Sequence, residues 1–222
     1  MCGRATLTTE ELETVAKTVE SAFSPSDAEL YRPRYNLAPT DLHFIVRQAG
    51  AGRALVPAKW GFTGTGRPLL INVRAETAAQ KFKGAFEKRR CLIPVDGFYE
   101  WTGAKKTKHP VWVHTPDKEI FLLAGLYEER EGERPAFTIL TTEPNRLLAP
   151  LHDRMPAIIP NDKATEWLSA PVPVPYLPAP APEKLLVTTD VSPRANSVQY
   201  DDEACLTPWT APKVKNEQLK LL

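Results

Sequence analysis

Proline constrains this chain more than any other residue. There are 22 prolines in 222 residues, about twice the usual share. Each fixes its own φ and removes one backbone donor. Many sit inside or beside stretches with β character: "YRPRYNLAPT" (31–40), "RALVPAKWGF" (53–62), "CLIPVDGFYEW" (91–101) and "PVWVHT" (110–115). A proline cannot donate to a central ladder, so such strands must place it at edges, ends or bulges. That pattern predicts a barrel-like body with long loops in place of a regular open sheet.

The remaining periodicity predicts an α+β chain. "TTEELETVAKTVESAF" (8–23) reads as a helix with Leu12, Val15, Ala16, Val19 and Phe23 on one face, and Thr8 and Glu11 as a capping box. "LHFIVRQ" (42–48) and 53–62 read as strands around the glycine turn "AGAG" (49–52). A helix is expected at 75–82. Strands are expected at 91–101, 110–115, 119–129 and 135–142. A short helix over 161–169 takes Asn161 as its N-cap. "APVPVPYLPAPAP", within a proline-rich strap over 170–182, reads as an external extended segment, and 183–192 as a returning strand. No internal repeat is visible.

Composition narrows the function classes. The chain is 42% hydrophobic, which suits one sizeable core. No apolar run approaches the roughly 18 residues of a membrane span, and no secretory pattern opens the chain. Cys2, Cys91 and Cys205 are far apart and odd in number, which favours a reducing compartment over a disulfide framework. His43, His109, His114 and His152 are scattered and no CxxC or HExxH occurs, so no metal and no cofactor is expected. Net charge is +1. Basic stretches (81–90, 105–109) and acidic ones (128–133, 201–203) are segregated, either as a phosphate-holding surface or as ordinary solvated faces.

Four stretches place one reactive or hydrogen-bonding group among apolar or rigid neighbours: "MCGR" (1–4), "INVRAET" (71–77), "GFYEW" (97–101) and "LHDRMP" (151–156). Cys2, Asn72, Glu100 and His152 together supply a nucleophile, an acid/base pair and an orienting amide. Singly, each also has a bland reading, as a strand's solvent face or a satisfied histidine. Removal of Met1 would leave Cys2 with an amine and a thiol on adjacent carbons, a selective reagent for aldehydes.

These stretches, with "RYNLAPT" (34–40), "WGF" (60–62), "CLIPVDGFYEW" and a weaker "VSPRANSV" (191–198), run in one order over about residues 1–208. The chain resembles the SOS-response-associated peptidase (SRAP) family, whose members shield abasic sites in DNA by covalent cross-linking. The resemblance implies a single-domain α+β fold, a β-rich pseudo-barrel with peripheral helices, over 1–208, followed by a tail at 209–222. It also implies that Cys2, Asn72, Glu100 and His152 form the active site.

On that footing, the expected product is a thiazolidine joining Cys2 to the C1′ aldehyde of an abasic nucleotide. Single-stranded DNA carrying abasic sites is the expected partner, because it bends into a pocket more easily than a duplex. Arg4, Arg74 and Arg154 each lie within two residues of a catalytic candidate and suit phosphate contacts. Asn36 and Pro39 of "NLAP", Trp60 and Thr141 complete the candidate DNA-binding set; for Trp60 the alternative is core packing. Family members often carry a further tryptophan after "WG", where this chain has "TGTGRP" (63–68), a loop with no stacking face. The expected state is a monomer, cytoplasmic and away from membranes (beside the nucleoid in a bacterium). Two rival readings are a Cys2-dependent thiol hydrolase or self-processing peptidase, and a non-covalent binder of single-stranded DNA.

Overall fold

The computed structural model of the protein describes residues 2–64, 67–103, 108–169 and 179–210. The core of the proline-rich strap (170–178), most of the tail (211–222), "KKT" with its preceding alanine (104–107) and the centre of the glycine loop (65–66) lie outside the described residues.

The chain begins with strand β1 (Ala5–Leu7), helices α1 (Leu12–Thr18) and α2 (Pro25–Ala28), then β2 (Arg34–Leu37), β3 (Leu42–Ala49) and β4 (Gly52–Trp60). Short strands β5 (Phe62–Gly64), β6 (Arg67–Leu70) and β7 (Asn72–Arg74) lead into α3 (Ala75–Lys81) and α4 (Lys83–Lys88). Then come β8 (Arg90–Val95), β9 (Gly97–Thr102), β10 (His109–His114), β11 (Phe121–Glu128) and β12 (Ala136–Thr142). The described chain closes with β13 (Met155–Pro156), β14 (Ile158–Ile159), α5 (Ala164–Ser169) and β15 (Val187–Asp190).

Strand pairing closes a ring. β12 pairs with β4, β4 with β3, β3 with β8, β8 with β11, and β11 returns to β12. The β12–β4 contact is parallel and the others are antiparallel. A second sheet, ordered β15-β10-β9-β1-β2, packs beside it. The α+β pseudo-barrel with peripheral helices is therefore the architecture of the chain.

Side-chain alternation explains why the ring strands are apolar on both faces. On β11, Leu122, Ala124 and Leu126 join the cluster that holds α1, α3, α4 and α5. Phe121, Leu123 and Tyr127 of the same strand face the inner cluster, with Cys91, Ile93 and Val95 of β8 and with Cys2 itself. Gly125 faces inward, where a Cβ would come within 2.4 Å of the Ile93 side chain and 2.8 Å of the Thr138 carbonyl. The inside of the ring is thus filled by side chains.

Several expected elements differ for identifiable reasons. The helix at 8–23 is shorter, Leu12–Thr18, with Glu11 as an N-cap that makes no side-chain cap bond. Thr8 is drawn away: its N–H and hydroxyl both donate to Asp96 Oδ2, each at 2.6 Å. The expected strand 91–101 breaks at Asp96 and serves two sheets, β8 in the ring and β9 in the second sheet. The helix expected at 75–82 ends at Phe82, whose φ of −127° and ψ of 40° separate α3 from α4. Asn161 does not cap; it opens a 3₁₀ turn after Pro160. The returning strand contracts to β15 behind a 3₁₀ turn at Glu183–Leu185.

Gly97, next to that break, has no room for a side chain. A Cβ there would stand 2.0 Å from Trp112 Nε1, whose N–H donates to Thr6 Oγ1 at 3.0 Å. Gly97→Ala is expected to destabilise the fold by about 1–3 kcal/mol through overpacking. Urea unfolding checks this. An unchanged midpoint would mean that the indole shifts aside without cost.

Candidate active site and nucleic-acid contacts

The second sheet brings the N-terminus to Glu100. β1 pairs antiparallel with β9, Ala5 against Phe98 and Thr6 against Gly97, and the Tyr99 N–H donates to the Arg4 carbonyl at 3.0 Å. Continuing that register towards the N-terminus leads Cys2 along β9 in the direction of Glu100. On β9, Phe98 belongs to the inner cluster with Cys2, whereas Tyr99 packs with Trp112, Val191 and Cys205 in a third, outer cluster. Alternation therefore puts Glu100 on the Phe98 face, away from its sequence neighbours Tyr99 and Trp101. Its desolvation comes from that inner face and not from the flanking aromatics. Glu100 is 3% exposed, and burial raises its carboxyl above the ordinary range.

Cys2 is completely buried. Its thiol donates to the Arg4 carbonyl at 3.5 Å. Burial first, and then the charge of Glu100, push the thiol well above its ordinary value. Asn72, at the start of β7, donates Nδ2–H to the Cys2 carbonyl at 2.8 Å. Its Oδ1 is buried without a hydrogen-bond partner among the described residues. The amide thus grips the backbone of the reactive residue with one end and keeps an acceptor in reserve.

His152 lies in the turn after β12 and is about one-third exposed. Burial lowers its basicity below the ordinary histidine range. The positive charge at the chain's N-terminus and Lys108 lower it further, while Asp153 opposes them. The same N-terminal charge acts on Cys2 and Glu100, and Asp153 and Lys108 act on Glu100 as well. Three chemical candidates, Cys2, Glu100 and His152, therefore share one electrostatic neighbourhood. Asn72 is tied to it by a hydrogen bond.

The DNA-contact candidates separate more sharply. Arg74 is exposed, with no ion-pair partner among the described residues. Pro39 is half-buried. Arg4 is half-buried and bonds Asn36 Oδ1 at 2.8 Å and the Ala195 carbonyl at 3.0 Å, with its guanidinium 5.9 Å from the Trp101 ring centre. Asn36 is buried and uses its amide to hold the Ser197 and Tyr200 carbonyls, at 3.0 and 2.7 Å. Thr141 is fully buried, with its hydroxyl 3.4 Å from the Val73 carbonyl. Trp60 is also fully buried, donating to the Ile71 carbonyl at 3.0 Å and stacking on Phe137 at 6.1 Å. Asn36, Thr141 and Trp60 are thus buried, with their polar atoms bonded inside the protein; for Trp60 this matches the core-packing alternative. Arg154 is buried and forked onto Glu76, Nη1 to Oε1 at 2.9 Å and Nη2 to Oε2 at 2.8 Å. That fork holds the Glu76 carboxyl below its ordinary range.

Comparison with known proteins places the chain in a family. The family described as "SOS response associated peptidase (SRAP)" matches residues 1–198. The chain belongs to the SRAP family. Among its relatives, the abasic site processing protein YoqW of Bacillus subtilis is 36% identical over 183 residues, 76% of this chain and 80% of YoqW. The abasic site processing protein YedK of Escherichia coli is 32% identical over 178 residues, 76% of this chain and 79% of YedK. A crystal structure of a Bacteroides thetaiotaomicron protein superposes with a TM-score of 0.76 at 20% identity, covering 94% of this chain and all of that one. That likeness bears on the fold.

Sequence reading of this SRAP chain missed the carboxylates that hold the site together. Asp96 sits in the quoted "VDGF", and Glu76 in "INVRAET". Asp201 belongs to the acidic "DDE", read as solvated. It in fact accepts from Arg34 Nε, Tyr35 N and Asn36 N at 2.6, 2.7 and 2.8 Å. A lone Asp carries no periodic signal, so only the fold shows which donors it meets. Among the described residues no helix is long and apolar enough to cross a membrane.

Two outcomes follow from these placements. Trp60→Ala is expected to cost about 3–5 kcal/mol of stability, the cost of truncating a large core aromatic. A base-stacking surface residue would instead lose DNA affinity with the unfolding midpoint unchanged. Iodoacetamide at pH 8 is expected to label Cys2 at least about tenfold more slowly in the native protein than in urea, because burial disfavours the thiolate. Equal rates would show the thiol open to solvent.

Proposed function

We propose that the protein captures abasic sites in single-stranded DNA, joining Cys2 to the C1′ aldehyde as a thiazolidine once Met1 is removed. The observation that carries this reading is the grip of Asn72 on the Cys2 carbonyl, beside the desolvated Glu100. The arrangement as a whole disfavours the thiolate, with burial and Glu100 outweighing the N-terminal charge and the Arg4 backbone contact. Burial and Glu100 both oppose its ionisation, which is the reverse of what a thiol peptidase needs in its resting state. An α-amine, by contrast, has an ordinary pKa of about 7.7–8.0, so a useful fraction is neutral at physiological pH.

The chemistry then runs as two additions. The neutral amine attacks the aldehyde, and the carbinolamine loses water to give an imine. The thiol, two carbons from the amine nitrogen, adds to the imine carbon and closes a five-membered ring. Holding the thiol beside the carbon makes this second step intramolecular, which removes most of its entropic cost. Ring closure also removes the iminium that would promote strand cleavage. Asn72 orients the Cys2 backbone. Glu100 and His152, pushed in opposite directions from their ordinary values, divide the proton movements between them. Arg74 supplies the phosphate contact, and Arg4 and Arg154 order the walls beside it.

Incubation with single-stranded DNA carrying one abasic site tests the reading on a denaturing gel. Wild-type protein is expected to give a heat-stable adduct, and Cys2→Ala none, with its fold intact by circular dichroism. A normal adduct yield from Cys2→Ala would overturn the thiazolidine. Arg74→Ala is expected to lower the slope of log affinity against log salt by about one, as loss of one phosphate contact does. An unchanged slope would make Arg74 a bystander.

A further inference from the structure

One nitrogen of His152 has two partners that it cannot satisfy in the same protonation state. Nδ1 lies 2.6 Å from Asp153 Oδ1. It also accepts the Arg154 N–H at 3.0 Å. Accepting needs the Nδ1 lone pair; facing a carboxylate favourably needs an Nδ1 proton. The two contacts therefore belong to two states of one ring. With Nδ1 accepting, the neutral ring carries its proton on Nε2. With Nδ1 protonated beside Asp153, the ring is stabilised as imidazolium. The Arg154 backbone has little freedom to leave, because its guanidinium is forked onto Glu76 and also donates to the Thr141 carbonyl. Nε2 has no hydrogen bond among the described residues. The ring is held by the protein at Nδ1 and open at Nε2.

We propose that Asp153 is a positioning residue for the abasic-site reaction, holding the imidazolium of His152 at Nδ1 so that Nε2 exchanges protons with the substrate. The proposal rests on the function inferred above. Among the charges acting on the ring, the N-terminal one and Lys108 disfavour imidazolium and Asp153 favours it. The proton count closes. Imidazolium gives its Nε2 proton to the carbinolamine oxygen. The C–O bond breaks, water leaves, and the nitrogen lone pair forms the iminium C=N bond. The Cys2 sulfur then attacks the iminium carbon, its electron pair forming the C–S bond while the C=N π pair returns to nitrogen. The thiol proton returns to Nε2. During the transfer Nδ1–H stays against Asp153, as an Asp steadies a catalytic histidine in other enzymes. The transient neutral ring therefore carries its proton on Nδ1, the opposite of the resting tautomer that accepts from Arg154. Asp153 is 79% exposed, so its support is modest and screened by salt.

Long-range ¹H–¹⁵N spectra of histidine, recorded against pH on the full chain, test the pairing. Adduct formation with abasic single-stranded DNA, timed at pH 7, tests the role. Asp153→Asn and Asp153→Ala are each expected to move the His152 titration to lower pH and to leave the Nε2–H tautomer dominant above it. Both should slow adduct formation by about two- to fivefold, the scale of an exposed ion pair, with unchanged final yield. Asp153→Glu should recover part of the titration shift. An unmoved titration in both Asn and Ala variants overturns the pairing. A moved titration with an unchanged rate overturns the role. If the wild-type protein forms no adduct, the function reading fails and the role with it, while the titration still decides the pairing.

Discussion

The buried carboxylate of Asp96 is the interaction on which the site's geometry depends. It is 2% exposed. It accepts from the Thr6 hydroxyl and from both the N–H and the hydroxyl of Thr8, and its own N–H donates to the Thr6 carbonyl at 3.0 Å. A buried carboxylate without such donors would cost several kcal/mol, and with them it fixes whatever carries the donors. Those donors belong to the first described strand and to Thr8 just after it. An N-terminal strand held only by ladder bonds would fray. Held by Asp96 at one end and by Asn72 at the Cys2 carbonyl, it has both ends defined. The break in the strand at 91–101 belongs to the same arrangement, since Asp96 stands where the backbone passes from the ring to the second sheet.

A second clamp ties the far end of the described chain to the site. Asp201 and Asn36 knit β2 to the loop around 195–201, and Arg4 adds a bond to Ala195. Asn36 and Arg4 thereby act on the outer face of β1 and β9, opposite the inner face that holds Cys2 and Glu100. Polar residues that looked like a groove for bases turn out to join segments more than 150 residues apart: Asn36 to Ser197 is 161 residues in sequence. Loop closure over such a span is entropically unfavourable. Buried, multiply bonded amides and carboxylates offset it.

What was legible in the sequence, and what was not, divides by range. The β-rich body followed from apolar runs and from proline beside strands, because those signals are local. The four chemical residues stood out because each interrupts an apolar or rigid stretch, and the resemblance joined them. The capping box at Thr8 misled because Asp96, 88 residues away, competes for the same donors. Trp60 read as ambiguous because an indole suits a core and a stacking surface equally; its N–H bond to Ile71 and its place against Phe137 decide for the core. Glu100 was found for an incomplete reason. Its aromatic neighbours in sequence point to the other side of the strand, and alternation alone could have shown that.

The resting electrostatics also bear on how an aminothiol survives in a cell full of other electrophiles. A thiolate next to an amine would react with many of them. Here burial and Glu100 keep the thiol protonated, so its own nucleophilicity is held down. In the proposed reaction, an aldehyde that condenses with the amine changes the balance. The iminium it creates is a positive centre beside a carboxyl whose ionisation burial opposes, and an adjacent cation favours that ionisation. The carboxylate so formed pairs with the iminium and holds it beside the thiol, whose proton leaves to His152 as sulfur attacks. The sulfur is thus activated by the product of the first step and not before it. Selectivity for an aldehyde then comes from the order of events, with the desolvated Glu100 linking one step to the next.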